Sequence, residues 1–557
     1  KYLLASYDTT AHDGAGGYIL SDGDYYLAIG EDSHDALNNV LAAEGYTAAN
    51  GMTAEGTAAK TYSFKQSFDD DKYRTGENGA IVSNQFADAD LNYWVDGAGT
   101  YLSRSDWEAT YPVEQTTVEA TPEMMNILAG EWYEKPEGAP SYSEVAANFG
   151  VDSGLNLAMM KDVPLSDHET WLKFIYQLQP EDLPNATAES FQSPAVGDLS
   201  PAFAVGDGCD SVGGTYPLTV EFNGEQVNPV TTRYCSNVVL AGTFNADLYA
   251  GRGTMMGEDG MWSGYMINYN LGNDLHRTPF GGRNFEYMGE DPYLASIMVV
   301  PYIHGVQRNG VAACVKHFAL NNQEIDREYV NVIVDDRALH EIYLPAFKAA
   351  VQKGGTWSIM GAYNKYKNQF CCHNQYLLND ILKRDWGFDG VVVSDWGGTH
   401  DTDQAAYNGL DMEMGTWTDG LAWSWSNAYD KYFLAKPFLT KLQNKEIDEK
   451  VLDEKVRRIL RLTFRTTMNP DRPYGSFATE EHALTARRIA QEGMVLLKNQ
   501  GNLLPLNPAQ PHKILVVGEN AKQMMTTGGG SSELKVKNEV LPFQGIENYF
   551  GKNSQIS

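Results

Sequence analysis

The chain is poor in cysteine, in basic residues and in long apolar runs, and each shortage excludes a class of protein. Its 557 residues include 5 cysteines at irregular spacing, too few for a disulfide framework or a zinc ribbon. No run of about twenty apolar residues could span a bilayer. The 42 basic residues are outnumbered by 73 acidic ones, and the net charge of −31 would repel nucleic acid and anionic lipid. A neutral, ring-shaped ligand such as a sugar suits this acidic, aromatic-rich chain better than a nucleotide does.

Phosphate-binding and metal-binding patterns are also missing. No G-x-G-x-x-G follows an apolar run, and the glycine-rich stretch at 528–532 lacks the Walker lysine arrangement. Cys371 and Cys372 are adjacent beside His373, which does not give the C-x-x-C spacing of a metal site, and there is no second cysteine pair. We therefore expect no nucleotide, no metal and no cofactor.

What the sequence does contain is a series of apolar runs that end in reactive or polar side chains. The run before Lys316 and His317, the run before Tyr363 and the run before Asp395 all follow this pattern, and helix-like stretches over 336–353 and 374–386 separate them. Buried parallel strands are apolar throughout, are joined by helices and carry catalytic groups at their C-terminal ends. A doubly wound sheet alternates similarly but usually carries a phosphate loop. The pattern predicts an α/β fold with a TIM-type (β/α)8 barrel.

The length of the chain and its shifts in composition predict four segments. They are a β-rich fragment over 1–50, an irregular connector over 51–164, the barrel over 165–470 and a partial α/β sandwich domain over 471–557. In the last segment we expect a short buried strand over 513–517. One strand-helix unit is too little for a stable domain. A further segment or another chain is therefore expected to complete its sheet.

Four motifs, in this order, resemble glycoside hydrolase family 3. They are Gly282 to Glu286 with Glu290-Asp291-Pro292, then Lys316-His317-Phe318, then Met360-x-x-Tyr363-Asn364, then Ser394-Asp395-Trp396. The resemblance covers residues 165 to 546, and its last part is similar to the start of that family's α/β sandwich domain. Residues 2–26 resemble the closing strands of the family's fibronectin-like domain. Their place before the barrel predicts a permuted domain order or an incompletely covered protein.

The resemblance implies a retaining glycosidase in which Asp395 attacks the anomeric carbon and water then hydrolyses the glycosyl-enzyme. A nearby cation, Lys316 or Arg283, would keep Asp395 ionised. The residues expected to bind the sugar are Asp207, Arg283, Lys316, His317, Met360, Tyr363 and Trp396. Those expected to support them through ion pairs are Glu286, Glu324 and Arg327.

Several of these assignments carry alternatives. Adjacent strand residues point to opposite faces, so Lys316 and His317 can reach one ligand only if the strand ends or bulges there. For Met360, packing in the hydrophobic core is an equal alternative to contact with the sugar. Near Asp207 the chain departs from the family pattern, because Cys209 stands where proline is usual and Gly213 where many members have arginine. Three tryptophans at 417, 423 and 425 fit either stacking on the leaving sugar or loop packing.

Two features favour glucose as the sugar. The histidine loop of members that act on N-acetylglucosamine is absent after Phe318, and a tryptophan after the nucleophile, here Trp396, resembles the β-glucosidases. The expected function is therefore that of an exo-acting β-glucosidase on β-glucosides or oligosaccharides. A β-xylosidase and a non-catalytic glycan-binding barrel are the alternatives, the latter because no residue here matches the family's general acid.

The sequence says little about location or assembly. It begins at Lys1 without a methionine and has one Asn-x-Thr sequon at Asn185. A secreted or cell-surface location is only slightly favoured over a cytoplasmic one. The sequence is compatible with a homo-oligomer as well as with a monomer.

Overall fold

The structure of the protein is a computed structural model. It describes residues 5–8, 17–50, 52–67, 95, 97, 119, 121–122, 125, 150–164, 166–178, 187–189, 192–193, 203–213, 220–222, 225–227, 230–415, 432–525, 530–532, 536 and 539–557. The chain forms two compact units, Lys1–Ala129 with Ile333–Ile342 and Gly130–Val332 with Tyr343–Ser557. Within the described ranges, no helix is long and apolar enough to cross a membrane.

The first unit is built from strand pairs and one longer helix. The antiparallel pairs are Ser6–Asp8 with Gly17–Ile19, and Gly23–Ala28 with Thr61–Gln66. The helix Ser33–Ala43 begins after Asp32, whose side chain accepts a hydrogen bond from the backbone N–H of Asp35. A 3-10 turn, Ala58–Lys60, precedes the last strand.

One strand of this unit lies beyond the segment 1–50 that was predicted to be β-rich. Thr61–Gln66 lies in the stretch predicted as an irregular connector, yet it pairs along its whole length with Gly23–Ala28. Its sequence alternates polar residues with the aromatic Tyr62 and Phe64, a strand signal that the prediction of an irregular connector overlooked. The rings of Tyr25 and Phe64 stack across the pair, with centroids 5.3 Å apart.

The segment Ile333–Ile342 also belongs to the first unit, although the sequence assigned it to a barrel helix. Tyr7 stacks on His340 with ring centroids 4.2 Å apart, and the hydroxyl of Tyr18 donates to the carbonyl of His340 at 2.5 Å. These contacts join two parts of the chain that are far apart in sequence. A local pattern of apolar spacing cannot reveal such a pairing.

The single helix predicted over 336–353 is instead three pieces. They are Asp336–Ala338, the π-helical turn Leu339–Tyr343 and the helix Pro345–Gln352. Proline has no N–H to donate and its ring clashes with the carbonyl four residues earlier, so Pro345 starts a new helix instead of continuing one.

Parallel strands form the centre of the second unit. They lie in the order Val391–Val393, Ser358–Gly361, Ala312–Phe318, Tyr265–Gly272 and Phe203–Asp207. Every residue of the two central strands is buried, as expected of a sheet covered on both faces. One core cluster includes Met266, Cys314, Met360, Val393 and Met412.

Short strands extend this series at both ends. Gln192–Ser193 pairs antiparallel with Phe203–Asp207. At the other end, Val393 bridges to Met412, and Glu413–Met414 pairs in parallel with Ala188–Glu189. Ala188–Glu189 and Gln192–Ser193, which pair with opposite ends of this series, are separated by only two residues in the chain, as expected of an α/β barrel.

Helices alternate with these strands, because parallel neighbours need a crossover connection. The described helices of this unit are Leu157–Met160, His168–Ile175, Asn237–Ala241, Ala246–Trp262, Pro292–Arg308, Pro345–Gln352, Tyr376–Asp385 (π-helical), Thr402–Tyr407, Lys436–Gln443, Glu449–Arg465, Glu480–Glu492 and Pro542–Phe550. The remaining short elements are the strands Val220–Phe222, Glu225–Val227, Asn331–Val332, Lys365–Tyr366, Gln369–Phe370, Lys513–Ile514 and Gln555–Ile556, and the 3-10 turns Asn284–Glu286, Cys371–His373, Gln500–Asn502, Glu519–Ala521, Gly530–Ser532 and Gly551–Asn553.

Two of the long helices approach each other closely through glycines. A methyl group on Gly253 would lie 2.4 Å from the carbonyl oxygen of Tyr302, and one on Gly257 would lie 2.6 Å from that of Val306. These distances leave no room for a side chain. The helices Ala246–Trp262 and Pro292–Arg308 therefore pack backbone against backbone.

The prediction of a buried strand over 513–517 is wrong in extent and in burial. The strand covers only Lys513–Ile514 and pairs with Gln555–Ile556. Leu515 and Val517 are 74% and 83% exposed. The composition is that of a core strand, but no second layer among the described residues covers it.

Candidate active site

The predicted site residues meet at one edge of the parallel sheet. Each lies at or just beyond the end of its strand: Asp207 in Phe203–Asp207, Lys316 and His317 in Ala312–Phe318, Tyr363 after Ser358–Gly361, and Asp395 after Val391–Val393. Because the strands are parallel, their C-terminal ends face the same way. This edge is where the candidate site lies.

Asp207 and Lys316 form an ion pair within the site. Lys316 Nζ lies 3.1 Å from Asp207 Oδ1, which also accepts from the backbone N–H of Gly208 at 2.7 Å. Burial would lower the pKa of Lys316, but Asp207 and Glu286 raise it above its ordinary value, so the amine stays charged. A carboxylate beside an ammonium group offers both an acceptor and a donor to neighbouring hydroxyls.

Lys316 and His317 both face the site because the strand is irregular there. The pairing of Ala312–Phe318 with Ser358–Gly361 shifts register between Val315 and Phe318. The prediction that this strand must end or bulge for the two side chains to converge is therefore confirmed.

His317 is buried and neutral. Its Nε2 lies 3.6 Å from Asp395 Oδ2, and its Nδ1 lies 3.2 Å from the hydroxyl of Tyr287. Burial, together with the charges of Arg283 and Lys316, holds the pKa of His317 well below its ordinary value. The imidazole can thus exchange hydrogen bonds with a hydroxyl but forms no ion pair with Asp395.

Arg283 and Glu286 form a second ion pair, on the loop after Tyr265–Gly272. Arg283 Nη2 lies 2.6 Å from Glu286 Oε2. Burial would raise the pKa of Glu286, but Arg283 and Lys316 lower it below its ordinary value, and Glu286 stays ionised. On its other oxygen Glu286 accepts from the hydroxyl of Ser532 at 3.4 Å.

Glu324, Arg327 and Tyr363 form a third group. Arg327 Nη1 lies 2.7 Å from Glu324 Oε2, and its guanidinium carbon lies 4.5 Å from the centre of the Tyr363 ring. Tyr363 donates its hydroxyl hydrogen bond to the carbonyl of Trp396 at 2.9 Å. The arginine is therefore tied to the chain segment that carries Asp395.

Asp395 is a buried carboxylate among cations. Its Oδ1 accepts from the backbone N–H of Trp396 at 2.7 Å. Burial raises the pKa of Asp395, and Arg283, Lys316 and Arg327 oppose that rise without cancelling it. The group is therefore ionised only above a pKa that is higher than that of an exposed aspartate.

Met360 and Trp396 connect the site to the apolar core. Met360 is buried in the core cluster, and the half-buried indole of Trp396 packs against that cluster. A methyl group on Gly415 would lie 2.4 Å from Trp396 Nε1, so the tryptophan is held closely from that side.

Some buried groups that surround the site were not predicted from the sequence. Asp274 accepts backbone hydrogen bonds from His317 at 2.8 Å and from Asn321 at 3.2 Å, and burial raises its pKa to about 8. Asn273-Asp274 directly follows a buried strand, but Asn268 and Asn270 interrupt the apolar run of that strand, so the signal was weaker than for the residues that were identified. Cys372, considered only as a metal ligand, accepts from the backbone N–H of Asp395 at 3.4 Å.

Other predictions fall on parts of the chain that the structure does not describe. Trp417, Trp423 and Trp425 lie outside the described residues, as do Asn185 of the sequon and Gly528 and Gly529 of the glycine-rich stretch.

Comparisons with known proteins agree with the motifs. The family description "Glycosyl hydrolase family 3 N terminal domain" matches residues 217–462, and "Glycosyl hydrolase family 3 C-terminal domain" matches residues 494–557. "Beta-glucosidase BoGH3A" of Bacteroides ovatus is 50% identical over 329 residues, which are 58% of this chain and 44% of that protein. "Thermostable beta-glucosidase B" of Acetivibrio thermocellus is 38% identical over 303 residues, which are 54% of this chain and 38% of that protein. The chain thus spans less than half the length of these curated relatives.

A solved structure of a β-glucosidase has a similar fold. Beta-glucosidase 3B from Thermotoga neapolitana, in complex with glucose, superposes with a TM-score of 0.61 at 30% identity, covering 70% of this chain and 55% of that chain. The two family descriptions together match more than half of the present chain. The chain belongs to glycoside hydrolase family 3.

Proposed function

We propose that the chain provides the barrel of a retaining, exo-acting β-glucosidase that releases terminal glucose from β-glucosides or short β-gluco-oligosaccharides. The observation that carries this proposal is the placement of Asp395, a buried carboxylate at a strand end, beside Arg283, Lys316, Arg327 and the neutral His317. The curated relatives reported above are named β-glucosidases, and the superposed structure holds glucose.

In the first step Asp395 acts as the nucleophile. An electron pair from its carboxylate attacks the anomeric carbon, the bond to the leaving oxygen breaks, and that oxygen takes a proton. Positive charge develops on the sugar ring in the transition state, and the carboxylate stabilises it. In the second step water attacks the anomeric carbon on the face opposite Asp395, the bond to the Asp395 carboxylate breaks and the water loses a proton, so that the two inversions together retain the configuration of the sugar.

The other side chains bind and orient the sugar. Asp207 and Lys316 present an acceptor and a donor 3.1 Å apart, which matches two neighbouring hydroxyls of one sugar ring. His317 supplies an uncharged hydrogen-bonding group next to the nucleophile. Arg283 is fixed by Glu286, and Arg327 by Glu324, so these cations keep their places while the charge on Asp395 changes.

No described residue matches the general acid that the family takes from its second domain. We propose that the acid comes from a segment that completes that domain. Glycosides with acidic phenols leave without much proton donation, whereas poor leaving groups depend on it.

We also propose the domain division given above, with the barrel at 165–470 and part of a sandwich domain at 471–557. The amphipathic helix Glu449–Arg465 at the end of the barrel supports the boundary near 470, and the separate match over 494–557 supports the start of a further domain. For the fibronectin-like fragment over 1–50 the support is the antiparallel pairing of Ser6–Asp8 with Gly17–Ile19.

Two substrates and one variant test the function. We expect 2,4-dinitrophenyl β-glucoside to be hydrolysed by the purified chain and Asp395→Ala to lose at least about a thousandfold in kcat, since the nucleophile is gone. A methyl β-glucoside tests the acid, because its leaving group needs a proton. Hydrolysis of the aryl substrate alone means that Asp395 works without an acid. If the chain binds glucose but hydrolyses neither substrate, the glycan-binding alternative replaces this proposal.

A further inference from the structure

Two adjacent cysteines lie near the candidate nucleophile, and one of them contacts its backbone. Cys371 and Cys372 open the 3-10 turn Cys371–His373, and both are fully buried. Neither is bonded to another cysteine. The function proposed above assigns them no role.

Cys372 bridges the ends of two neighbouring strands. Its Sγ accepts a hydrogen bond from the backbone N–H of Asp395 at 3.4 Å, and its S–H donates to the carbonyl of Ala362 at 3.3 Å. Asp395 follows the strand Val391–Val393, and Ala362 follows Ser358–Gly361. The thiol therefore spans the gap between the nucleophile and the turn that carries Tyr363.

Cys371 forms the corresponding bridge one strand further along. Its S–H donates to the carbonyl of Ala319 at 3.5 Å, and its Sγ accepts from the side-chain amide of Asn364 at 3.4 Å. Ala319 directly follows the strand that carries Lys316 and His317. Together the two thiols connect three strand ends, and each of these ends bears a residue assigned to the site.

The backbone around Cys372 is shaped to receive a sulfur atom. A methyl group on Gly398 would lie 2.7 Å from Cys372 Sγ, and one on Gly361 would lie 3.1 Å from it. Both glycines belong to the segments that the thiol bridges. Only residues without a side chain let the two segments close around it.

Both thiols stay protonated. Burial raises the pKa of Cys371 to about 12 and the pKa of Cys372 well above its ordinary value, and the charge of Asp395 adds to the second rise. A protonated thiol both donates and accepts, as the two bridges require. Individually such bonds are weak, so their effect is on geometry.

We propose that Cys371 and Cys372 are positioning residues that hold the three strand ends in register, with Cys372 setting the place of Asp395 and Cys371 setting that of the Lys316–His317 segment. This inference rests on the proposed function. It predicts different kinetic effects for two adjacent, equally buried residues, which a general loss of stability would not produce.

The test uses 2,4-dinitrophenyl 2-deoxy-2-fluoro-β-glucoside, which labels the nucleophile covalently and needs little acid catalysis. We expect Cys372→Ala to lower the first-order rate constant of labelling about tenfold while the dissociation constant of the reagent changes less than about twofold, because a displaced nucleophile reacts slowly. We expect Cys371→Ala to raise that dissociation constant about fivefold and to change the rate constant less. Cys372→Ser keeps a donor and an acceptor and should recover part of the rate.

Cys314→Ala is the matched control, because Cys314 is a fully buried thiol of the core cluster that contacts neither Asp395 nor Ala362 in the described bonds. It should label at nearly the normal rate. The inference is overturned if Cys372→Ala labels normally, if Cys314→Ala is slowed equally, or if serine restores nothing. Failure of the unmodified chain to be labelled at all would instead overturn the proposed function, and this inference with it.

Discussion

At the scale of single residues, the charge of Asp395 is the property on which the proposed chemistry depends. Burial and three nearby cations act on it in opposite directions, and burial has the larger effect on its pKa. Removal of one cation should therefore raise the pKa of Asp395 further and so change the pH dependence of activity. Arg327 is the best cation to remove, since Glu324 and Tyr363 hold it in place beside the site and no sugar-binding role is assigned to it.

We predict that Arg327→Gln moves the acid limb of the profile of kcat/KM against pH to a higher pH, by about half a unit to one unit. The sign follows from the loss of a positive charge, which makes the anionic carboxylate less favourable and so raises the pKa of Asp395. Rates with an activated aryl β-glucoside from pH 4 to 8 would measure it. Arg461→Gln, which removes a cation paired with Asp389, is the control and should leave the limb in place. A shift to lower pH would contradict the prediction.

Residues such as Lys316, Tyr363 and Asp395 could be predicted because each follows an apolar run that the sequence shows, whereas Asp207 was indicated only by the family resemblance. Asp274 and Cys372 could not be assigned their contacts in this way. Their partners, the N–H groups of His317 and Asp395, are 43 and 23 residues away. Hydrogen bonds at such separations depend on how the strands are ordered in space, and the local pattern does not carry that order.

At the scale of elements, a buried histidine fastens the helix Glu480–Glu492 to the helix Ala246–Trp262. His482 Nε2 lies 3.1 Å from Glu258 Oε2, and its Nδ1 lies 3.2 Å from Asp259 Oδ1. Burial alone would lower the pKa of His482, but the two acids raise it above its ordinary value. The contact between these helices should therefore depend on pH.

We predict that, between pH 6 and 9, the free energy of unfolding of the unmodified chain falls by about 1 kcal/mol more than that of His482→Gln, because other buried groups such as Asp274 titrate in both proteins alike. The folded pKa of His482 is higher than the unfolded one. Its stabilising effect is thus complete below the unfolded pKa of about 6.5 and disappears as pH rises through the folded pKa. Urea unfolding at several pH values would measure the difference. His512→Gln replaces a more exposed histidine and should leave the slope unchanged.

One predicted helix shows what apolar spacing cannot predict. The stretch 336–353 has helical spacing throughout, yet it divides at Pro345 and its first part belongs to the other unit. The proline was visible in the sequence, and its effect on the helix follows from its missing N–H. The contact of His340 with Tyr7 was not visible, because it joins residues far apart in the chain.

At the scale of the whole molecule, the described C-terminal part of the chain exposes many large apolar side chains. Met494, Leu497, Leu515, Val517 and Met524 are all more than two-thirds exposed. Soluble chains rarely leave so many apolar residues in water on one stretch without a binding role.

We predict that the chain binds the dye 1-anilinonaphthalene-8-sulfonate in its folded state and that the double change Leu497→Lys with Val517→Lys lowers the dye fluorescence by about half. Charged side chains at these positions disrupt the apolar surface to which the dye adheres. Ile29→Lys changes an equally exposed apolar residue of the first unit and serves as the control. Equal fluorescence from all three proteins would show that the dye binds elsewhere.

The parallel pairing of Ala188–Glu189 with Glu413–Met414 has a consequence for the order of folding. It joins an early strand of this unit to a strand that lies much later in the chain. Contacts between residues so distant in sequence carry a large loop-closure cost until the intervening strands have assembled. This pair should therefore form after the other strands, and a growing chain that has not yet been synthesised past residue 414 must hold the sheet with Ala188–Glu189 unpaired.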